Sequence, residues 1–143
     1  MAMMQTGDAR ALREYQRIKV NSDVEQATPH RLIQLMMERV LAKIAMARGL
    51  LSQGETGRKG ELIGDAISII NGLQVSLNHK ADQKLADNFD ALYNYMTRRL
   101  LEANLRNDAD ILLEVAGLMN EIKEAWDAIA DQVLQDAKGV TAS

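Results

Sequence analysis

The residue types that most often carry chemistry are sparse in this chain. His30 and His79 are its only histidines, and it has no cysteine. A zinc site needs about four such ligands, and a carboxylate di-iron bundle needs Glu-x-x-His pairs on facing helices. The sequence supplies neither set. Because His30 follows a predicted helix start and His79 lies in a predicted turn, we expect both imidazoles to be solvated. No metal and no cofactor are predicted.

Other catalytic patterns are also missing. The stretch GETGRKG, residues 54–60, lacks the GxxxxGK[ST] spacing of a phosphate-binding loop, and no strand precedes it. Ser52, Ser68 and Ser76 have no base at a recognisable spacing, although the sequence leaves distant partners open. We therefore predict no catalytic residue and no enzyme. An enzyme or a metal-binding bundle stays as a third hypothesis, which would need carboxylates projecting inward.

The charge pattern argues against nucleic acid as a partner. Charged residues make up 26% of the chain, with a net charge of −3. The pairs Arg58-Lys59 and Arg98-Arg99 are too isolated to neutralise a phosphate backbone. We expect the side chains of Arg58 and Lys59 to be solvated.

Composition indicates the fold class and the compartment. The chain has 143 residues, enough for one domain, with one proline and only 3% aromatic residues. Ala, Leu, Met, Glu, Lys and Arg, which favour helices, dominate it. No apolar run approaches the ~20 residues that span a bilayer, and the start MAMMQTGDAR lacks the features of a signal peptide. We predict an all-α protein in the cytoplasm, without membrane insertion.

Helix start and stop signals divide the chain into four long segments. Thr28-Pro29 is typical of an N-cap followed by proline in the first turn, and three glycines mark the clearest break. The predicted helices cover residues 29–51, 61–78, 84–105 and 109–134. Short connections favour an antiparallel up-down four-helix bundle. The predicted organisation is an N-terminal lid segment and tether (1–27), the bundle (28–135) and a disordered tail (136–143).

The first long helix carries more apolar surface than one core stripe needs. Leu35, Met37, Leu41 and Met46 lie beyond its stripe. Either the helix is buried on several sides, or this surface receives another apolar segment. Residues 8–20 are a candidate cover, since they form a short amphipathic piece that is too short to be stable alone. The alternative for that piece is a frayed arm.

The stretch ALYNYMTRRLLEANLRND, residues 91–108, combines two tyrosines with an Arg-Arg pair and is a candidate site. Helical spacing points Leu92, Met96 and Leu100 to the core and places Tyr93 at the edge of the stripe. Tyr95, Arg99 and Glu102 share another flank, three and four residues apart. We expect the Arg99 guanidinium to pair with a carboxylate or a carbonyl. The stretch therefore predicts a structural helix with polar anchors.

The same stretch resembles a family signature. LYNYMTRRLLEAN is similar to the Leu-Tyr-x-Tyr-Met-x-Arg-Arg-Leu-x-x-Ala-Asn segment of the flagellin export chaperone family, FliS. ATPHRLIQLM, Leu77-Asn78 and Trp126 also fall where the family pattern expects them, so the resemblance covers about residues 12–130. The chain departs from the pattern at residues 37–39, where the family often has Tyr-Asp-Gly. It also lacks the glycine that the family has in the turn between the second and third helices. The matching signature residues are Leu92, Tyr93, Tyr95, Met96, Arg98, Arg99, Leu100, Ala103 and Asn104.

The resemblance implies a function. Members of this family bind the disordered C-terminal segment of flagellin in the cytosol, prevent its premature polymerisation and present it to the export gate, whose cytosolic domain belongs to FlhA. They use a mobile N-terminal segment that occupies part of the same groove. The alternative is a helical adaptor or chaperone for a different late flagellar export substrate. A weak homodimer is also conceivable, because an exposed groove pairs readily with itself.

We assign candidate partner-binding residues from the apolar faces of the first two helices and from the lid. The lid candidates are Tyr15 and Ile18. The candidates on the bundle are Leu32, Leu35, Met36, Ile70, Leu73 and Leu77.

Overall fold

The structure is a computed structural model, and it describes residue 11, residues 28–78, residue 80 and residues 82–142, with side chains described up to residue 129. Apart from Ala11, the predicted lid and tether over 1–27 lie outside the described residues, and so does His79.

Four helices make up the described chain: α1 (Pro29–Ser52), α2 (Thr56–Val75), α3 (Gln83–Arg106) and α4 (Ala109–Ala142). No strand occurs among the described residues, and the all-α prediction is confirmed. Capping side chains fix the helix starts. The Thr28 hydroxyl accepts from the Arg31 N–H at 3.1 Å, and the Asp82 carboxylate accepts from the Leu85 N–H at 3.0 Å.

Two helix boundaries differ from the sequence prediction. Helix α2 begins at Thr56, not near residue 61, because only Gly54 takes a positive φ (77°) and Gly57 and Gly60 are helical. Helix α4 continues to Ala142, whereas the sequence placed its end near Leu134 and a disordered tail over 136–143. The tail contains Gly139, which is about 1 kcal/mol less favourable than alanine in a helix, but it has no proline, whose cost of about 3 kcal/mol would stop the helix.

The helices form a ring in which each packs against its two neighbours: α1 on α2, α2 on α3, α3 on α4, and α4 on α1. Contacts between the start of one helix and the end of the next show that neighbours are antiparallel. Gln34 donates to Asp127 at 2.8 Å, and Gln74 donates to Asp90 at 2.9 Å. The helices therefore pack as an antiparallel four-helix bundle, in agreement with the prediction.

The buried core follows most of the predicted apolar positions, with exceptions on α1 and α3. Tyr93 is only 2% exposed, whereas Leu92 is 36% exposed. The Tyr93 ring stacks beside the Phe89 ring one turn earlier, with centroids 6.2 Å apart. The prediction that Leu92 faces the core was wrong, because the stripe is centred one residue later. Met37, predicted as surplus apolar surface, is 1% exposed and belongs to the core.

Candidate functional site

An apolar cavity of about 410 Å³ opens at one end of the bundle, where α1 and α3 begin and α2 ends. Its volume falls within the range of about 300–1,000 Å³ that is common for ligand sites. The lining residues are Pro29, His30, Ile33, Leu73, Ser76, Leu77, Asn78, Asp82, Leu85, Ala86, Phe89, Tyr93 and Trp126.

The cavity exists because α2 ends and α3 begins at this level, and neither helix covers the end of the core. The chain leaves α2 after Val75, and the loop over residues 76–82 carries Leu77 along the cavity rim. Asp82 caps α3, so Ala86 and Phe89, one and two turns later, form the α3 wall together with Tyr93. The α2–α3 loop and the first turns of α3 thus shape the opening.

Trp126 fixes the opposite wall. Its indole N–H donates to the His30 carbonyl oxygen at 3.0 Å, and the two rings stack with centroids 4.9 Å apart. The hydrogen bond uses the polar edge of the indole and leaves its apolar body to packing. His30 is half-buried against Trp126, so the expectation that its ring is solvated was wrong.

The cavity suits apolar side chains and has little capacity for ions. Burial raises the pKa of the Tyr93 hydroxyl above its ordinary value of 10.0, so this group brings no negative charge to the cavity. The Asp82 carboxylate is engaged in capping α3. Within the described ranges, no group of three or more His, Asp or Glu side chains is placed to hold a metal ion.

Two of the candidate partner-binding residues line the cavity. These are Leu73 and Leu77, which the sequence placed on one face at the end of the second helix. Met36 and Ile70 are fully buried in the core, and Leu32 is 7% exposed. Partner contact by any of these residues stays a prediction. Residues that face the core and residues that face a groove recur at the same helical spacing, so the periodicity of the sequence does not distinguish them.

The remaining candidates lie elsewhere. Leu35 is half-buried and packs against the core from outside. Tyr15 and Ile18 lie outside the described residues.

Three of the signature residues, Tyr95, Arg98 and Arg99, belong to a polar cluster on the outer face of α3 and α4. The Tyr95 hydroxyl donates to Glu114 at 2.9 Å, and Arg99 Nε donates to the same carboxylate at 2.7 Å. Arg99 also pairs with Glu102, as the sequence predicted. The Arg98 guanidinium lies 5.9 Å from the centre of the Tyr95 ring. Hydrogen bonds from Arg99 and Tyr95 lower the pKa of Glu114.

Asn104, another signature residue, binds a lysine that the sequence analysis had assigned to solvent. Lys59 is 3% exposed. Its ammonium donates to the Asn104 carbonyl at 3.0 Å, to Asn104 Oδ1 at 2.7 Å and to Asn107 Oδ1 at 2.6 Å. The expectation of a solvated Lys59 was wrong because α2 begins early enough to bring this side chain under the end of α3. Burial lowers the pKa of Lys59.

Sequence reasoning missed most of the cavity, including Phe89 and Ala86. A usable signal was present, since the chain has a single phenylalanine and a single tryptophan. Both fall on core stripes, and the antiparallel order of α3 and α4 brings Phe89 near the start of one helix and Trp126 late in the next to the same end of the bundle.

No helix in the described part of the chain combines the length and the hydropathy that a bilayer-spanning segment requires.

Comparison with known proteins agrees with this architecture. A bacterial protein described as a flagellar chaperone, solved by crystallography, superposes with a TM-score of 0.69, covering 85% of this chain and 98% of its own, at 15% sequence identity. At that identity the likeness establishes the fold.

Sequence relatives are much closer. The flagellar secretion chaperone FliSB of Pseudomonas aeruginosa is 45% identical over 121 residues, covering 85% of this chain and 96% of its own. The flagellar secretion chaperones FliS of Salmonella typhimurium and Escherichia coli are 42% and 37% identical, covering 85% and 90% of this chain and 91% and 96% of their own. The family model described as "Flagellar protein FliS" matches residues 11–133. This chain therefore belongs to the FliS family.

Proposed function

We propose that this protein is a cytoplasmic flagellar secretion chaperone that binds the disordered C-terminal segment of flagellin. Binding keeps flagellin from polymerising early and delivers it to the export gate, through the cytosolic domain of FlhA. The role is one of binding, without catalysis. Support comes from the relatives, which are named flagellar secretion chaperones, and from the apolar cavity at the end of the bundle.

The cavity is the observation that carries this proposal. It presents Leu77, Phe89 and Trp126 to a client, and the carboxylate that lines it, Asp82, is engaged in capping α3. An unfolded client offers apolar side chains that a folded partner has already buried, so an open apolar cavity selects for disordered segments. In helix-in-groove binding, a few apolar anchor side chains of the client enter the groove of the partner, and we expect the same here.

The client's ordering cost explains why the binding surface extends beyond one cavity. A disordered segment that orders on binding loses about 2–5 kcal/mol of its gross interaction energy. A few side chains that fill the cavity contribute roughly 1.5–3 kcal/mol each, which is comparable to that cost and leaves little to offset the translational and rotational freedom that is lost on association. We therefore infer that the segment anchors in the cavity and continues along the bundle, where half-buried residues such as Leu35 offer further apolar contact.

Calorimetric titration with a synthetic peptide of the flagellin C-terminal segment tests the proposal. We expect saturable heat and a gain in helicity for the wild-type protein. Leu77→Asp places a carboxylate in the cavity wall, and burying an unpaired charge is costly, so we expect at least about tenfold weaker binding. Leu105→Asp is the matched control, because Leu105 is 84% exposed.

Failure of the wild-type protein to give heat, helicity or a shift in native mobility would contradict flagellin as the client. Under that outcome, binding of a different late flagellar substrate, weakened by Leu77→Asp, would favour the adaptor alternative. Equal affinities for the two Asp variants would remove the cavity from the binding surface.

A further inference from the structure

One polar group on the wall of the apolar cavity is left without a partner. Tyr93 lines the cavity and is only 2% exposed. Burial raises the pKa of its hydroxyl, and no hydrogen bond to a described residue contributes to that rise. The ring belongs to the core and stacks beside Phe89, so packing fixes where the hydroxyl lies. A buried polar group is normally hydrogen-bonded, and an unpaired one calls for an explanation.

Other polar side chains on the cavity wall are already engaged. The Ser76 hydroxyl donates to the Leu73 carbonyl oxygen at 2.7 Å, and the Asp82 carboxylate caps α3. The Trp126 indole N–H donates to the His30 carbonyl. Nδ1 of His30 lacks a partner among the described groups, but surrounding atoms seal it. The Tyr93 hydroxyl is not among the sealed atoms, so it stays available to an occupant of the cavity.

The chemistry of this hydroxyl fits an uncharged acceptor. A neutral phenol donates one hydrogen bond. The Asp82 carboxylate, which also lines the cavity, disfavours a second carboxylate there. An unfolded client brings a backbone carbonyl with every residue, and a carbonyl that enters an apolar cavity without a partner costs free energy.

A helix end in the client supplies such carbonyls. The last four carbonyls of an α-helix have no partner within that helix. A client helix that ends inside the cavity therefore needs a donor at the apolar wall, and the Tyr93 hydroxyl is a donor at that wall with no other use in the described structure.

We propose that the Tyr93 hydroxyl donates a hydrogen bond to a backbone carbonyl at the end of a client helix seated in the cavity. This inference rests on the proposed function, since the client supplies the carbonyl. Apolar anchor side chains fill the volume, whereas the hydroxyl determines the depth and the register at which the client chain is held. Tyr93 is then a specificity-determining contact, whose unpaired hydroxyl costs stability in the free protein and gains a partner in the complex.

Two tyrosines of the segment LYNYM provide a matched pair of variants. Tyr93→Phe removes the unpaired hydroxyl, whereas Tyr95→Phe removes a hydroxyl that donates to Glu114 at 2.9 Å on the outer face of the bundle. In the free protein, we expect Tyr93→Phe to keep or raise the urea midpoint, because no acceptor loses its donor, and Tyr95→Phe to lower it.

Calorimetric titration with the flagellin C-terminal peptide gives the second readout. We expect Tyr93→Phe to bind the peptide about three- to tenfold more weakly than the wild type, which is the effect of one net hydrogen bond. Tyr95→Phe should bind with unchanged affinity, because its hydroxyl lies away from the cavity. A merely structural role of Tyr93 predicts the opposite pattern, with lower stability and unchanged binding.

Peptides that each carry a single backbone ester identify the acceptor, because an ester carbonyl accepts hydrogen bonds more weakly than an amide carbonyl. At one position, the ester should weaken binding to the wild type without weakening binding to Tyr93→Phe any further. Such non-additivity indicates direct contact between the two groups. The same ester tested against both proteins also cancels the effect of the peptide N–H that it removes.

Equal peptide affinities of the wild type and Tyr93→Phe would overturn the proposal, and so would a lower urea midpoint for Tyr93→Phe. Weaker binding by Tyr93→Phe without coupling at any ester position would overturn the backbone carbonyl as the acceptor. In these three outcomes the wild-type protein still binds the peptide, so the proposed function stands. A wild-type protein that does not bind the peptide removes the proposed function and this contact together.

Discussion

Arg99 holds α3 and α4 together because its guanidinium reaches a carboxylate on each of them, Glu102 on its own helix and Glu114 on the next. Tyr95 shares Glu114 through its hydroxyl. These signature residues lie away from the cavity, so the structure gives them an architectural role. Because the cluster faces solvent, its strength depends on pH and salt.

Replacement of Glu114 by glutamine should reduce the pH dependence of stability in acid. The pKa of Glu114 is lowered from its ordinary value of 4.5, first by its hydrogen bond from Arg99. A carboxyl group with a lowered pKa in the folded state contributes stability above its ordinary pKa, and this contribution is lost as pH falls through the folded value. We expect Glu114→Gln to lower the urea midpoint at pH 7 and to converge on the wild type as the pH falls below the lowered pKa of Glu114.

Glu121→Gln is the control for that series, since Glu121 is an exposed residue of α4. Urea midpoints at several pH values, with tryptophan fluorescence as the signal, make the comparison. A Glu114→Gln curve parallel to the wild type between pH 7 and pH 3 would refute the assigned linkage.

At the scale of elements, Lys59 joins the first turn of α2 to the last turn of α3. Its ammonium meets the Asn104 carbonyl, one of the carbonyls that a helix C-terminus leaves without a partner. A cation is also favoured there by the helix dipole. Asn107, in the left-handed conformation at φ 53°, ends α3 and supplies a further oxygen to the lysine.

Lys59→Met should destabilise the bundle by about 2 kcal/mol, because three hydrogen bonds donated by a charged group are removed. Lys84→Met, on the exposed first turn of α3, should change the free energy of unfolding by less than about 0.5 kcal/mol. Chemical denaturation of both variants measures the difference. Equal stability of the two would mean that the Asn104 and Asn107 oxygens find water once the ammonium is gone.

The elements were largely predictable, and the reasons for the failures are local. Hydrophobic spacing and the Thr28-Pro29 cap located all four helices, although α2 begins earlier and α4 ends later than predicted. The spacing misplaced the α3 stripe, because Leu92 and Tyr93 are adjacent and leucine is the more apolar of the two. Stacking of Tyr93 on Phe89 decides the orientation, and such a contact is not encoded in single-residue hydropathy.

The site was less predictable than the fold. Leu73 and Leu77 were expected on one face, but the cavity also needs α1 and α3 to begin at the level where α2 ends. That alignment depends on helix lengths, and an error of five residues at the start of α2 hid the role of Lys59. Burial of Lys59 follows from tertiary packing, which overrides its intrinsic preference for water.

At the scale of the whole molecule, the cavity gives the protein an internal reporter. Trp126 is the only tryptophan and lines the cavity. We expect a flagellin C-terminal peptide to shift its emission to shorter wavelength on binding, because apolar side chains replace water beside the indole. A fluorescence titration should give the same dissociation constant as calorimetry, within about twofold.

Trp126→Phe provides the control for that titration, since it should abolish the spectral change while the calorimetric heat persists. Loss of the indole N–H leaves the His30 carbonyl without this donor, so a stability loss of about 1 kcal/mol is expected. Saturable heat with an unchanged wild-type emission spectrum would place the peptide away from this cavity.

The two ends of the bundle are built differently, and they lie roughly 25 Å apart at the rise of an α-helix. Lys59 ties α2 to α3 at one end, whereas the same two helices border empty volume at the other. We therefore expect α2 and α3 to separate transiently at the cavity end, while the Lys59 contact holds them together at the other end. Amide hydrogens near Leu85 should then exchange with deuterium faster than those near Leu100. A client bound in the cavity should abolish this difference in exchange rate.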